Sequence, residues 1–299
     1  MTGEWRMAAT DLDGTLIRTD GTVSRRTCEA MRAAEAAGIV LALVTGRPPR
    51  WMAPVAQATG HTGVAICANG ALLYDLHTET VIGSRLLDAE TQLRVVQALR
   101  SVVRGLTFAA EYAPGFGHEP GYRHGWDLGV TDVRVGPAEE ILDRPVAKLL
   151  ARHAAMASDE LLAIAVEVLG SDVAVTSSSR EALLEISAAG VTKASGLAGL
   201  AGAAGIGAAE VVAFGDMPND LPMLAWAGRA VAVANAHPEV LAAADEVTAS
   251  NDEDGVALVL ERLAAGRRGA PAPARPARAP GGPGGPGGRP GAARASGAS

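Results

Sequence analysis

Short apolar runs alternate with longer segments of helical periodicity along most of the chain, and this alternation limits the possible fold more than any other feature. Apolar strands separated by helices are typical of a parallel sheet that is covered by helices on both faces. The sequence therefore predicts an α/β fold with a doubly wound parallel sheet. Strands are predicted at residues 6–10, 39–44, 63–68, 211–214 and 230–233, and helices at residues 24–37 and 192–204.

The pattern changes between residues 82 and 188, where strand-like and helical segments follow one another in a different order. This change predicts a smaller α+β domain inserted into the sheet domain. Its strand-like segments are residues 105–111, 146–152, 172–179 and 181–187, with a helical pattern near residues 158–169. The predicted organisation is a core over residues 1–82 and 189–265, an inserted cap over residues 83–188, and a tail over residues 266–299.

The predicted tail consists mostly of Pro, Gly, Ala and Arg and shows no apolar periodicity. A segment of this composition buries too little apolar surface to offset the entropy lost on ordering, so we interpret it as disordered. Its six arginines either contact acidic partners or belong to a solvated segment without a fixed role.

Charge and cysteine usage exclude several classes of protein. Outside the tail the chain carries 20 basic and 33 acidic residues, which argues against a nucleic-acid-binding body. No run approaches the roughly 18 apolar residues of a membrane span, and the N-terminus lacks the apolar stretch of a signal peptide. Cys28 and Cys67 have neither metal-ligand nor disulfide spacing. We therefore expect a cytoplasmic protein with no membrane partner and no obligate protein partner.

Polar residues follow four of the predicted strands. In an open parallel sheet the ligand crevice lies outside the carboxyl ends of the strands, so these residues are predicted to meet at one site. They are Asp11 and Asp13 after the first strand, Thr45, Gly46 and Arg47 after the second, Asn69 and Gly70 after the third, and Asp216, Asn219 and Asp220 after the fourth.

The clustered acids predict a divalent cation. Asp11, Asp13 and Asp216 offer the oxygen ligands that Mg²⁺ prefers, and Asp220 is a further candidate. A cation would neutralise carboxylates that otherwise repel one another. With a phosphoryl group bound beside the cation, Asp11 is placed to attack phosphorus. Asp13 would then protonate the leaving oxygen and later deprotonate a water molecule.

Other residues at the strand ends suit a bound phosphate. Thr45 offers a hydroxyl group, and Gly46 allows its backbone N–H to approach an anion closely. Lys193 supplies a cation near the start of a predicted helix, where anions are favoured. Asn219 adds an amide donor. Arg47 either faces substrate or pairs with a structural acid, and Asn69, after the third strand, is a further substrate-binding candidate.

Each motif taken alone also has a structural explanation. Residues 11–15 can form an acidic turn, and residues 45–46 can simply end a strand. Lys193 can be a solvated surface lysine, and Asp220 can cap a helix or support a ligand rather than be one. Residues 117–127, which include His118, His124 and Trp126, are either part of a lid that senses substrate or an ordinary polar loop.

Taken together, the motifs resemble those of a known family. The segments DLDGT at residues 11–15, VTGR at 44–47, GVTKASGL around Lys193 and GDMPND at 215–220 are similar to the four ordered motifs of the haloacid dehalogenase superfamily. With NG at residues 69–70, the run over residues 227–257 and the insertion, the chain most resembles the Cof-type sugar-phosphate phosphatases. The resemblance covers roughly residues 6–264.

The resemblance implies a Rossmann-like core with an α/β cap and an Mg²⁺-dependent phosphatase. By position, Asp11 would be the nucleophile, Asp13 the acid and base, and Asp216 a metal ligand. Thr45 and Lys193 would bind phosphate, with Asn219 and Asp220 in support. The expected substrate is a small phosphorylated metabolite, such as a sugar phosphate. A phosphomutase of the same superfamily and a catalytically silent binding or regulatory protein remain as alternatives.

Overall fold

The computed structural model describes residues 5–123, 129–130, 133–177 and 183–267. The strands are β1 (Met7–Thr10), β2 (Val40–Val44), β3 (Val64–Cys67), β4 (Leu72–Asp75), β5 (Thr80–Ser84), β6 (Thr107–Glu111), β7 (Phe116–His118), β8 (Val133–Val135), β9 (Lys148–Arg152), β10 (Val173–Thr176), β11 (Leu183–Ala188), β12 (Val211–Gly215), β13 (Arg229–Ala232) and β14 (Glu246–Val247). The helices are α1 (Arg25–Ala36), α2 (Ala53–Thr59), α3 (Ala89–Val102), α4 (Ala138–Ile141), α5 (Ser158–Leu169), α6 (Lys193–Ala203), α7 (Leu221–Trp226), α8 (Pro238–Ala243) and α9 (Gly255–Arg267).

The core is an eight-stranded sheet in the order β14-β13-β12-β1-β2-β3-β4-β5. All pairs from β14 to β3 are parallel, whereas β4 and β5 extend the sheet as antiparallel strands. Every residue of β1 and β12 is buried, as expected for strands covered on both faces. The predicted doubly wound α/β fold is confirmed, with the antiparallel pair as an addition that the sequence did not predict.

Local sequence explains where the core helices begin and end. The Ser24 side chain accepts a hydrogen bond from the Thr27 N–H, which makes Ser24 the predicted N-cap of α1. Gly38 follows the helix with φ of +80°, a conformation that favours glycine. Helix α1 packs against α9, and α6 packs against α7.

A second sheet contains six strands in the order β10-β11-β9-β6-β7-β8. Its two faces are distinguished by alternating side chains. Leu149 and Ile186 lie in an apolar cluster that also includes residues of α3 and α5. Their sequence neighbours Leu150 and Glu185 lie on the opposite face and line a cavity above the core. The second sheet is therefore packed with helices on one face and faces the core sheet with the other.

Several details differ from the sequence-based expectations. The predicted division after residue 82 falls within β5, and the domain boundaries stay predictions. His118 ends β7 instead of lying in a loop, whereas His124 and Trp126 lie outside the described residues. The predicted tail began at Gly266, but α9 continues through Arg267, whose guanidinium donates to the backbone oxygens of Trp5 and Gly38. Among the residues described, no helix is long and apolar enough to cross a lipid bilayer.

Candidate active site

Three buried carboxylates meet at the carboxyl ends of β1 and β12. Asp11 follows β1, Asp216 follows β12, and Asp220 lies one turn further along the chain. One oxygen atom from each lies within 4.8 Å of those from the other two. We refer to Asp11, Asp216 and Asp220 as the acid cluster. Thr15 Oγ1 donates to Asp216 Oδ1 at 2.9 Å, and this hydrogen bond orients the Asp216 carboxylate.

Lys193 lies at the centre of this cluster and is buried. Its Nζ donates to Asp11 Oδ1 at 2.6 Å and to Asp220 Oδ1 at 2.7 Å. Only 2% of the residue is exposed, so the alternative of a solvated surface lysine is wrong. Lys193 is the first residue of α6, whose N-cap Thr192 forms a reciprocal capping box with Ser195. The start of that helix therefore determines where the ammonium group lies.

The turn at residues 69–70 allows α6 to approach the sheet. Gly70 has φ of +102°, and a Cβ there would lie 2.1 Å from the backbone oxygen of Thr192. A side chain at this position would push the N-terminus of α6, and with it Lys193, away from the acid cluster. The Asn-Gly pair at residues 69–70 therefore has a packing role beside the site.

Burial shifts the ionisation of the cluster. Burial raises the pKa of Asp11, and the three neighbouring aspartates raise it further, while Lys193 opposes the shift. Burial and the adjacent Asp220 raise the pKa of Asp216 to about 6. Burial alone would lower the pKa of Lys193, but contact with Asp11 and Asp220 raises it, so the lysine is cationic. One buried cation thus faces three acids, an arrangement that a divalent cation would balance.

Asp220 makes contacts with both of its carboxylate oxygens. Oδ1 accepts from Lys193, and Oδ2 accepts from the backbone N–H groups of Asp216 at 3.0 Å and Met217 at 3.1 Å. These contacts orient Lys193 and hold the turn that carries Asp216. The sequence left two roles open for Asp220, that of a metal ligand and that of a residue that supports one. The geometry favours the supporting role.

The structure does not bring the Asp13 carboxylate into the acid cluster. The Asp13 side chain is 58% exposed and pairs with Arg47, whose Nε donates to Asp13 Oδ2 at 2.8 Å. Both residues line the cavity above the cluster. Arg47 thus pairs with an acid and also faces the space where substrate would lie.

Of the remaining predicted residues, Gly46 and Asn219 line the same cavity, whereas Thr45 and Asn69 lie buried beside them. Thr45 is fully buried, and its Oγ1 accepts from the Arg47 N–H at 3.0 Å. The Gly46 backbone oxygen accepts from Lys148 Nζ at 2.8 Å. Asn69 Nδ2 donates to Glu185 Oε2 at 3.0 Å, and Asn219 Nδ2 lies 3.4 Å from Asn69 Oδ1. The four polar segments predicted to converge are therefore brought together in space.

The cavity lies between the two sheets and has a volume of about 630 Å³. This size suits a small-molecule ligand. Asp11 and Lys193 line the cavity from the core sheet, and Phe116 and Leu150 line it from the second sheet. A bound ester would therefore contact both sheets.

Sequence reasoning missed four charged residues that line this cavity, namely Arg50, Glu111, Lys148 and Glu185. Lys148 begins β9, which also ends with a charged residue, whereas Glu185 is the one charged residue of β11. For Glu185, a lone charge in a strand was the available signal, since charged residues are almost never fully buried unless they are paired. Arg50 gave no such signal, because it lies in a short turn after β2.

A buried aspartate–lysine site at the strand ends of a doubly wound sheet, beneath a second sheet, defines a capped α/β enzyme. The family model for haloacid dehalogenase-like hydrolases matches residues 8–260, and the chain belongs to this family. The predicted resemblance to the haloacid dehalogenase superfamily and its Cof-type members is confirmed.

Named relatives agree with this assignment. The 5-amino-6-(5-phospho-D-ribitylamino)uracil phosphatase of Bacillus subtilis is 30% identical over 269 residues, which cover 85% of this chain and 96% of that protein. The pyridoxal phosphate phosphatase of Escherichia coli is 30% identical over 275 residues, covering 84% and 96%. A haloacid dehalogenase-like hydrolase structure from Bacteroides thetaiotaomicron has a TM-score of 0.68 and 28% identity, covering 87% of this chain and 99% of that one. The chain is a phosphatase of the haloacid dehalogenase type.

Proposed function

We propose that this chain is an Mg²⁺-dependent phosphomonoester hydrolase that acts on a small phosphorylated metabolite through an aspartyl-phosphate intermediate. The observation that carries the proposal is the contact of Lys193 with Asp11 at the floor of a cavity large enough for such an ester. A buried cation beside a carboxylate both orients the nucleophile and stabilises charge on a transferred phosphoryl group.

The residues present fit a divalent cation. The acid cluster gathers carboxylate oxygens in a buried site whose acids outnumber the one lysine among them. Asp11 and Asp216 would hold Mg²⁺, and Asp220, which already contacts Lys193, would support them. When bound, the cation supplies positive charge to the phosphoryl oxygens and favours the ionised form of the carboxylates.

Asp11 and Asp13 would perform the chemistry in two steps. An Asp11 carboxylate oxygen attacks phosphorus and forms a P–O bond, while the bond from phosphorus to the ester oxygen breaks. Asp13 gives a proton to that leaving oxygen. A water molecule then attacks phosphorus, Asp13 takes its proton, and inorganic phosphate leaves with Asp11 regenerated. Because Asp13 contacts Arg47 in this structure, that contact must loosen before Asp13 can reach the leaving oxygen.

The phosphate would be held by groups from the ends of β2 and β12 and from the start of α6. We assign its oxygens to the Thr45 hydroxyl, the Gly46 N–H and the Lys193 ammonium group, with the Asn219 amide nearby. Asn69 would position Asn219, since their side chains lie 3.4 Å apart. Arg47 would contact the part of the ester next to the phosphate, because it lines the cavity above Asp11.

The substrate proposal rests partly on the relatives. The two named phosphatases act on a phosphoribitylamino-uracil and on pyridoxal phosphate, and both are small phosphorylated metabolites. We propose a substrate of that size for this chain. We also place the protein in the cytoplasm, since Cys28 and Cys67 are buried free thiols that suit a reducing compartment.

Replacing the nucleophile tests the proposal. Asp11→Asn should lower phosphate release from p-nitrophenyl phosphate with Mg²⁺ by at least about a thousandfold, because the amide oxygen is a poor nucleophile. Asp159→Asn, at an exposed position in α5, is the control and should keep the wild-type rate. Circular dichroism should show that both variants are folded. A wild-type rate in Asp11→Asn would contradict the proposal. So would a wild-type enzyme that isomerises a sugar phosphate and releases no free phosphate.

A further inference from the structure

The cavity carries equal numbers of acidic and basic side chains among its described residues. The bases are Arg47, Arg50, Lys148 and Lys193, and the acids are Asp11, Asp13, Glu111 and Glu185. Each base contacts an acid of this set. Each basic side chain that lines the cavity is therefore balanced by an acidic one.

Two of these pairs have their acid in the second sheet, and Lys148 of the second pair also donates to the Gly46 backbone oxygen. Arg50 Nη2 donates to Glu111 Oε2 at 2.9 Å, and a second contact joins Nη1 to Oε1. Lys148 Nζ contacts Glu185 Oε1. Glu111 and Glu185 are 3% and 4% exposed, so water screens neither pair effectively.

Apolar side chains surround these two pairs. Glu111 ends β6 and Glu185 lies in the middle of β11, both on the face of the second sheet that is turned toward the core. Phe116, Leu150 and Leu183 line the cavity on the same side. The organic part of an ester would therefore lie among apolar groups and two neutralised ion pairs.

A second negative charge on that organic part would meet only basic residues that already pair with an acid, as far as the described lining of the cavity is concerned. A bound divalent cation would offset the two acids of the acid cluster that Lys193 leaves unmatched, so the phosphate dianion already adds negative charge to the site. A further carboxylate or phosphate would enter a poorly screened space in which Glu111 and Glu185 already cancel the charges of Arg50 and Lys148, so no net attraction would offset the cost of removing that anion from water.

We propose that Glu111 and Glu185 are specificity-determining residues that restrict the enzyme to phosphate monoesters whose organic part is uncharged. The inference rests on the proposed function and narrows its substrate class. Bisphosphates and phosphorylated carboxylic acids are the classes that these two residues exclude.

A pair of synthetic esters isolates the effect of charge. The esters 4-carbamoylphenyl phosphate and 4-carboxyphenyl phosphate have nearly the same shape, but only the second carries an extra negative charge. The wild type should show a kcat/KM at least about tenfold higher for the carbamoyl ester. Glu111→Gln and Glu185→Gln each keep an acceptor of the same shape but remove one negative charge. Each variant should change the ratio of kcat/KM for the two esters by at least about tenfold in favour of the carboxy ester.

Glu119→Gln is the matched control. Glu119 also pairs with an arginine of the second sheet's domain, Arg100, but it is not among the residues that line the cavity. In Glu119→Gln the ratio of kcat/KM for the two esters should stay within about twofold of the wild-type ratio, since no charge in the cavity changes. A wild-type ratio near one would overturn the inference, as would ratios that are unchanged in both Glu111→Gln and Glu185→Gln. Taking a ratio within each variant cancels any general loss of activity.

Failure of the proposed function would be recognised separately. If neither ester releases phosphate from the wild type, the hydrolase proposal fails. Calorimetric binding of the same two esters to the wild type then decides the charge question. Binding of the carbamoyl ester that is tighter by at least about tenfold supports the inference, and equal binding overturns it.

Discussion

At the residue scale, the turn after β1 depends on a glycine that no other residue can replace without moving Asp216. Gly14 has φ of +79°, and a Cβ there would lie 2.4 Å from Asp216 Oδ2. A side chain at position 14 would therefore have two separate effects. It would strain the left-handed backbone conformation, and it would collide with a member of the acid cluster.

Gly14→Ala and Gly21→Ala separate these two effects. Gly21 has φ of +81° with no heavy atom within 4 Å of its would-be Cβ. Both variants should lose about 1 kcal/mol of unfolding free energy from strain, measured by urea denaturation. Only Gly14→Ala should also lose at least about tenfold in kcat/KM, because it displaces Asp216. Equal kinetic losses in the two variants would contradict this explanation.

The pairing of individual residues was also the part of the site least accessible from sequence. Residue types at the strand ends predicted that Asp11, Asp13 and Asp216 meet, because the ends of parallel strands lie at one edge, and Lys193 was predicted near a helix start. Asp11 and Asp216 do meet, whereas Asp13 pairs with Arg47. The contact of Asp13 with Arg47 and that of Lys148 with the Gly46 oxygen were not predictable. They depend on side-chain rotamers and on the distance between two sheets, and local sequence encodes neither.

At the scale of elements, the first turn of α6 links helix capping to catalysis. Thr192 caps this helix, and the next residue is Lys193. Loss of an N-cap side chain typically costs about 1 kcal/mol and frays the first turn. Here a frayed turn would also displace the ammonium group that contacts Asp11.

Thr192→Ala should therefore lower both unfolding free energy, by about 1 kcal/mol, and kcat. Ser24→Ala is the matched control, because Ser24 caps α1 in the same way and the first turn of α1 carries no site residue. The control should lose similar stability but retain the wild-type kcat. Urea denaturation and steady-state kinetics measure the two quantities. A retained kcat in Thr192→Ala, despite the lost stability, would show that Lys193 does not depend on the cap.

Helices and parallel strands were predictable because their signals are local. The helices predicted at residues 24–37 and 192–204 begin within one residue of α1 and α6, and the apolar runs placed β1, β2 and β12 within about a residue. Strands β4 and β5 were missed because their partners are set by tertiary pairing. In β5, four of five residues are exposed, so no apolar run marked the strand.

At the scale of the whole molecule, the predicted tail and helix α9 overlap by two residues. Gly266 and Arg267 share the composition of the tail, yet they complete α9. The reason is a specific pair of hydrogen bonds from Arg267 to the Trp5 and Gly38 oxygens, which composition cannot reveal.

Two truncations test where folding ends. A chain of residues 1–267 should keep the melting temperature and activity of the full chain, since the remaining segment has a composition that does not favour packing. A chain of residues 1–265 should melt at least about 3 °C lower, because it loses the two hydrogen bonds of Arg267. Arg267→Met in the full chain should reproduce that drop. Equal melting temperatures for the two truncations would show that Arg267 contributes nothing.

Cation binding should stabilise the molecule as a whole, because the acid cluster joins β1 to the segment after β12 and lies beside the start of α6. A ligand at a hundred times its Kd stabilises the folded state by about 2.7 kcal/mol. For a chain of this size, Mg²⁺ should then raise the melting temperature by about 5 °C. Asp216→Asn should abolish most of this rise, and Asp159→Asn should retain it. If Asp216→Asn showed the wild-type rise, the cation would bind elsewhere, because Asp216 supplies one of the two proposed ligands.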